Sequence, residues 1–131
     1  MTSPTPAQPI FDGHNDALLR LYNYRGGDPV QVFLEGKERG HIDLPKARTG
    51  GLAGGLFAIF VPSENTALPA LDASAGGGAY DVPLPPGVPL ASAQAATLAM
   101  ASILFRIEAA SNGAVKVCRS AAAIQQRWSG R

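Results

Sequence analysis

The chain has 131 residues, of which 46% are hydrophobic, and its 11 basic and 10 acidic side chains leave a formal net charge of +1. This length is typical of one domain, and the apolar content is sufficient for a core. The sequence has no basic block and no alternation of basic and aromatic residues, so we expect no nucleic-acid partner.

The N-terminal segment 1–8 is rich in proline and is predicted to be flexible. Residues 1–10 contain neither the basic region nor the long apolar run of a signal peptide or a membrane anchor. We therefore expect a cytoplasmic protein with no membrane partner. Cys118 is the single cysteine, which excludes an intramolecular disulfide and a thiolate metal cluster, and we interpret it as a buried, inert thiol.

A His-x-Asp pair, His14 and Asp16, directly follows the short apolar run Pro9-Ile10-Phe11, which predicts a buried strand. Alternate residues of a strand face the same side, so the two side chains would lie roughly 6 to 7 Å apart at the backbone, with Asp12 on the same face. Imidazole and carboxylate suit zinc, which usually takes three or four protein ligands. The alternative is a turn in which Asn15 and Asp16 cap a helix.

Two helices are predicted after this pair. The first covers 17–24, and the second begins with Asp28 as its N-cap and Pro29 at its first position. The second helix is expected to end at about Glu35. Helical spacing predicts these buried side chains: Leu18, Leu19 and Tyr22 in the first helix, and Val30, Phe33 and Leu34 in the second.

The His-x-Asp spacing occurs a second time, at His41 and Asp43. By spacing alone this pair is as good a set of ligands as the first. Pro45 follows at once, however, and proline is favoured at the start of a helix. We therefore favour a turn that opens a short helical segment, with Asp43 as its cap.

The apolar run Leu56–Val61 follows two pairs of glycines and does not alternate with polar residues. Such a run is typical of a strand that is covered on both faces, as in a parallel α/β sheet. The glycines precede the strand and no Gly-Lys-Ser/Thr occurs, so they form no dinucleotide or phosphate-binding fingerprint.

Residues 62–90 are rich in proline and glycine and are predicted to form a long loop, since this composition disfavours regular structure. A loop of this length is either a lid or binding loop or a tolerated surface insertion.

A long helix is predicted over Ala91–Ser111, with Asn112-Gly113 as its stop signal. Its apolar stripe consists of Met100, Ile103, Leu104 and Ile107. Val115-Lys116-Val117 is interpreted as a third strand, and Ser120 as the cap of a last helix that carries Ile124 and Trp128. The predicted order is β-α-α-β-loop-α-β-α, which is an α/β fold.

Two stretches in this order resemble the membrane dipeptidase family of metallopeptidases, the renal dipeptidase-like family M19. The first is Phe11-Asp12-Gly13-His14-Asn15-Asp16. The second is His41-Ile42-Asp43-Leu44-Pro45-Lys46-Ala47-Arg48, which continues through Gly54-Gly55-Leu56-Phe57 to Val61-Pro62. The resemblance covers essentially the whole chain, and two motifs at this separation are far more specific than either one alone.

The resemblance implies a TIM-barrel metallohydrolase, in which a (β/α)8 barrel carries a binuclear zinc site that hydrolyses dipeptides. The family pattern places the ligands of one zinc on His14 and Asp16, whereas His41 matches a position that is not a ligand. The pattern further requires a bridging Glu and two later His ligands, which the sequence lacks, since Glu108 does not match the bridging position.

A (β/α)8 barrel takes about 250 residues, so 131 residues supply at most its N-terminal part, as one partial barrel domain. We therefore expect the N-terminal portion of a dipeptidase that is inactive alone, and open strand edges that favour self-association. The alternative is a non-catalytic α/β protein that kept the scaffold and acts by binding or association.

Overall fold

The computed structural model describes residues 8–37, 39–63 and 86–129. Seven elements follow one another in this part of the chain. They are β1 (Ile10–Asn15), α1 (Ala17–Asn23), α2 (Pro29–Glu35), α3 (Leu44–Thr49), β2 (Leu52–Phe57), α4 (Leu90–Ala110) and α5 (Ala121–Ser129). Most of segment 1–8 and of the predicted loop 62–90 lies outside the described residues, so both interpretations stay predictions.

The two strands pair in parallel, as predicted. The predicted burial of both strands was wrong, because Phe11 of β1 is 43% exposed and Leu56 of β2 is 59% exposed. The position of β2 was predicted wrongly, because the strand begins at Leu52 and includes Gly54 and Gly55. A side chain at Gly54 would meet the ring of Phe11 at 3.0 Å, so the missing side chain lets β1 and β2 approach each other. Glycine inside a strand often marks such a close approach.

The helices α1 and α2 pack against α4 and form the core with it. Their boundaries agree with the predictions, and Asp28 caps α2 by accepting a hydrogen bond from the backbone N–H of Val30 at 3.1 Å. The predicted stripes were partly wrong, because Leu21 and Val32 are buried whereas Leu19, Tyr22 and Leu34 are only partly covered. The positions of the neighbouring helices decide which side of each short helix is buried.

The helix α4 is the longest element, and its buried side chains are Ala96, Met100, Ile103 and Ile107. Leu104 is only partly buried, unlike the predicted stripe. The helix ends as expected, since Asn112 and Gly113 both adopt left-handed conformations with φ of 50° and 83°. These conformations stop the helix and turn the chain back.

By length and composition α4 could also cross a membrane, since it has 21 residues and a mean hydropathy of 1.4. Core helices of globular proteins meet the same criteria, and one side of α4 packs against α1 and α2. The cytoplasmic location and the lack of a membrane partner stay predictions.

The predicted third strand at Val115–Val117 is wrong, since the chain there is irregular. The backbone N–H groups of its two valines are used by side chains at the end of α4. The N–H of Val115 donates to Ser111 Oγ at 3.0 Å, and the N–H of Val117 donates to Glu108 Oε1 at 3.1 Å. Because these donors are already engaged, and no third strand lies beside them in the described part, the segment forms no ladder.

The last helix, α5, begins as predicted, since Ser120 Oγ accepts from the N–H of Ala123 at 3.2 Å. Trp128 contacts the ring of Phe11 with a centroid distance of 6.5 Å, which brings α5 to β1. Between the sheet and the helices α4 and α5 lies an open groove of about 400 Å³. Cys118 lines this groove and is half-buried, so the prediction of a buried thiol is wrong.

Candidate metal centre

The first His-x-Asp pair lies at the carboxyl end of β1, where the chain enters α1. The pairing with β2 is irregular here, because the step from Asp12 to Asn15 on β1 faces the shorter step from Gly55 to Phe57 on β2. The extra residue is a bulge, a feature that re-aims side chains next to functional sites. His14 is therefore presented at the end of the sheet.

The side chains of His14 and Asp16 lie beside each other, with 3.6 Å between His14 Nε2 and Asp16 Oδ1. Both remain accessible, since the side chains are 69% and 54% exposed. Their proximity agrees with the spacing argument, but Asp16 does not belong to the strand and stands at the N-cap position of α1. Because the carboxylate makes no capping hydrogen bond to α1, its oxygens remain available to bind a metal ion.

Asn15 rather than Asp16 satisfies the start of α1, a role that the sequence argument shared between the two residues. Its Oδ1 accepts from the N–H of Ala17 at 3.2 Å, and its Nδ2 donates to Asp12 Oδ2 at 2.8 Å. Asp12 Oδ1 accepts in turn from the N–H of His14 at 3.3 Å. Asp12 is thus engaged with its neighbours, although the spacing placed it on the ligand face. Asx turns at Asp12 and Asn15 were the available signal in the sequence.

The second pair has the geometry of a helix cap. Asp43 is 2% exposed, and its Oδ1 accepts from the N–H of Lys46 at 2.9 Å at the start of α3. Its Oδ2 pairs with Lys46 Nζ, while His41 is exposed beside it. The predicted cap is confirmed, and both oxygens of the Asp43 carboxylate are engaged by Lys46.

Opposing effects act on the pKa of the Asp43 carboxyl, and their sum favours its ionised form. Burial raises the pKa of its carboxyl, but the hydrogen bonds from Lys46, the charge of that lysine and the charge of Arg20 together leave the pKa below its usual value. Arg20 also donates to the carbonyl of Ile42 at 2.9 Å, which ties α1 to the segment before α3. The ionised cap is thus part of the packing between these elements.

Glu108 lies near the end of α4 and is engaged in a local network. A hydrogen bond from Lys116, another from the backbone N–H of Val117 and the nearby positive charges hold the pKa of its carboxyl below the usual range. Its Oε1 lies 2.7 Å from Lys116 Nζ. Glu108 therefore fixes the segment after α4.

Within residues 8–37, 39–63 and 86–129, no group of three or more His, Cys, Asp or Glu side chains is placed to hold a metal ion. His14 and Asp16 therefore form a pair of candidate ligands there. Imidazole nitrogen and carboxylate oxygen are both donors that a divalent zinc ion accepts. The chemistry and exposure of this pair fit a metal ion whose coordination shell further ligands would complete.

Comparison with known proteins gives a consistent result. The family model described as "Membrane dipeptidase (Peptidase family M19)" matches residues 5–131. An uncharacterised protein in the PQQ-III 3' region of Acinetobacter calcoaceticus is 50% identical over 54 residues, which are 41% of this chain and 17% of that protein.

Two solved structures share the fold over 93% of this chain. A metallo peptidase from Rhodobacter sphaeroides, liganded with a phosphinate mimic of the dipeptide L-Ala-D-Ala, has a TM-score of 0.76 at 41% identity. The dipeptidase AC, a metallo peptidase of family M19, has a TM-score of 0.74 at 42% identity. The chain spans 35% and 34% of the lengths of these two proteins.

These matches confirm the resemblance seen in the sequence motifs and the α/β fold, which corresponds to an N-terminal piece of TIM-barrel-like structures. The chain belongs to the membrane dipeptidase family of metallopeptidases, family M19.

Proposed function

We propose that this chain provides the N-terminal part of the barrel of a zinc-dependent dipeptidase, with His14 and Asp16 as ligands of one zinc ion. The observation that carries the proposal is their accessible pairing, 3.6 Å apart, at the carboxyl end of a parallel strand. Active sites of (β/α)8 barrels lie at the carboxyl ends of the strands. The family relationship supplies the reaction class.

The residues of this chain would bind and orient. The imidazole of His14 and the carboxylate of Asp16 would hold the metal from one side, and the carboxylate would offset part of its positive charge. When bound, a zinc pair supplies Lewis acidity toward a carbonyl oxygen and lowers the pKa of water toward neutrality. These two effects favour hydrolysis of a peptide bond.

A dipeptide is the proposed substrate of the complete site. The R. sphaeroides relative is liganded with a mimic of L-Ala-D-Ala, which makes this dipeptide the first probe to use. The 131 residues alone are proposed to be inactive, because two described ligands leave a metal ion mostly hydrated and hydrolysis needs a bridged pair.

A chimaera tests this function. The matching segment of the R. sphaeroides peptidase is replaced by this chain, and zinc-dependent hydrolysis of L-Ala-D-Ala is measured for the chimaera and for the 131-residue chain. We expect turnover by the chimaera and none by the chain alone. His14→Ala in the chimaera should reduce turnover to the uncatalysed background, whereas His41→Ala should leave it unchanged.

Thermal unfolding of each chimaera shows that the variants compared are folded. A folded chimaera that keeps its turnover after His14→Ala would contradict the assignment of the metal ligand. Zinc-dependent turnover by the 131-residue chain alone would contradict its proposed inactivity.

A further inference from the structure

We propose that Asn15 and Asp12 act together as positioning residues, whose side-chain hydrogen bond holds His14 and Asp16 in the arrangement that binds metal. The inference rests on the proposed function of that pair and assigns a role to two residues that are not ligands. We call the hydrogen-bonded pair of Asn15 and Asp12 the brace.

Asn15 is the central residue of the brace. It is 8% exposed, although it lies between two exposed residues, His14 and Asp16. Burial of an amide costs free energy unless its polar atoms are paired. Here Nδ2 donates to Asp12 Oδ2 at 2.8 Å, and Oδ1 accepts from the N–H of Ala17 at 3.2 Å. The single side chain therefore connects β1 to the start of α1.

Asp12 extends the connection back along the strand. One of its oxygens accepts from Asn15, and the other accepts from the backbone N–H of His14 at 3.3 Å. The backbone on both sides of His14 is thus fixed through one carboxylate. Asp16 is fixed from its other side, because its neighbours Asn15 and Ala17 are bonded to each other.

The neighbouring strand is shaped to admit the brace. A side chain at Gly55 would meet Asp12 Cβ at 3.2 Å and Asn15 Nδ2 at 3.5 Å, so the glycine leaves room for both. The carbonyl of Asn15 also accepts from the N–H of Ala58 at 2.9 Å, directly after β2. The brace is therefore anchored to the sheet as well as to α1.

The physical consequence concerns the geometry of the ligands. The side chains of His14 and Asp16 are largely exposed, so the backbone must set the separation of their donor atoms. Groups that orient metal ligands from behind typically contribute about 10-fold to 100-fold to metal affinity. Loss of the brace should therefore weaken zinc binding without removing either ligand.

Variants with the same net charge test the brace. Asn15→Leu keeps the size and charge of the side chain but removes both of its hydrogen bonds. The double exchange Asp12→Asn with Asn15→Asp lets the new amide donate to the new carboxylate, while acceptors remain for the N–H groups of His14 and Ala17. Zinc affinity of the whole chain is measured by isothermal titration below the unfolding temperature of each variant.

We expect Asn15→Leu to weaken zinc binding about 10-fold or more, and the double exchange to recover most of the loss. A merely structural role would lower the unfolding temperature but would leave the affinity of the folded protein unchanged. Unchanged affinity in folded Asn15→Leu would overturn the inference, as would a folded double exchange that binds as weakly as Asn15→Leu.

His14→Ala, measured alongside, separates this inference from the proposed function. If His14→Ala loses zinc binding while Asn15→Leu binds zinc fully, the proposed role of the brace is refuted and the proposed metal site is supported. If His14→Ala keeps the wild-type affinity, or if the wild-type chain binds no zinc, the proposed metal site is refuted, and the role of the brace is refuted with it.

Discussion

The two His-x-Asp segments have the same spacing and different structures. In the first, Asn15 occupies the start of the following helix, and His14 and Asp16 remain exposed beside each other. In the second, Asp43 itself caps the helix and is buried against Lys46. The comparison shows that the unpaired backbone N–H groups at a helix start take up one capping side chain. The choice of that side chain determines which carboxylate remains available to bind a metal ion.

The residue between His and Asp is the local cause of this difference. Asn15 has a short side chain that accepts a hydrogen bond two residues ahead, so it relieves Asp16 of the capping role. Ile42 stands at the corresponding place in the second segment and has no side-chain acceptor. Asp43 must therefore supply the cap.

The largest expected contrast between the segments is in metal binding. His14→Ala and Asp16→Ala should each abolish binding of zinc to the chain, because a site of two ligands does not tolerate the loss of one. Equilibrium dialysis with zinc gives the measurement. His41→Ala is the matched control and should bind as the wild type does; a loss in His41→Ala equal to that in His14→Ala would show that the two segments are not functionally distinct.

The second contrast is in stability, and here the second His-x-Asp segment is expected to be the more sensitive to mutation. Asp43→Ala removes a buried cap and leaves the N–H of Lys46 without its partner, so it should lower the free energy of unfolding by about 2 kcal/mol. Asp16→Ala should change it by less than about 0.5 kcal/mol, because the exposed Asp16 carboxylate makes no capping bond. Urea unfolding of both variants checks the pair of values, and equal losses would contradict this division of roles.

The third and smallest contrast is in the response to acid. The folded-state pKa of Asp43 lies below its ordinary value of 3.8, so its ionised form contributes stability above the unfolded-state pKa. That contribution should be lost as the pH falls through the lowered pKa of the folded state. Glu108, whose pKa is lowered from 4.5, should add to the same loss over an adjacent range.

Asp43→Asn tests this contribution, since asparagine keeps an oxygen to cap α3 but cannot lose a charge. The decrease in unfolding free energy between about pH 6 and about pH 3 should be smaller in Asp43→Asn than in the wild type. Glu108→Gln should reduce the decrease separately. An acid response that is identical in the wild type and both variants would place its origin elsewhere.

Local signals in the sequence predicted the helix boundaries well. Asp28 with Pro29, and Asp43 with Pro45, carry the chemistry of helix starts within a few residues, so no distant contact is needed to recognise them. Asn112 and Gly113 similarly predicted the end of α4, because their left-handed conformations are a local property.

The strands were harder to predict, because a strand is defined by its partner. Gly54 and Gly55 were interpreted as a boundary of β2, yet they belong to it, since Phe11 and Asp12 of β1 occupy the space of their missing side chains. Val115–Val117 has the composition of a strand, but the N–H groups of its two valines bond to the side chains of Ser111 and Glu108. Composition alone did not contain either contact.

For the candidate site, the sequence by itself determined the donors and their motif. His14 and Asp16, with the second motif after them, were sufficient to indicate the family to which the chain belongs. These features reside in the identity and spacing of residues, which folding does not alter.

Only the tertiary structure decided which carboxylates are free. Asp12 and Asp43 are engaged by neighbouring donors, whereas the side chain of Asp16 remains open beside His14 because Asn15 takes the start of α1. The bulge of β1 against β2 then sets where this pair stands at the end of the sheet. The physical reason is that each buried backbone donor must find an acceptor, and the folded backbone determines which side chain supplies it.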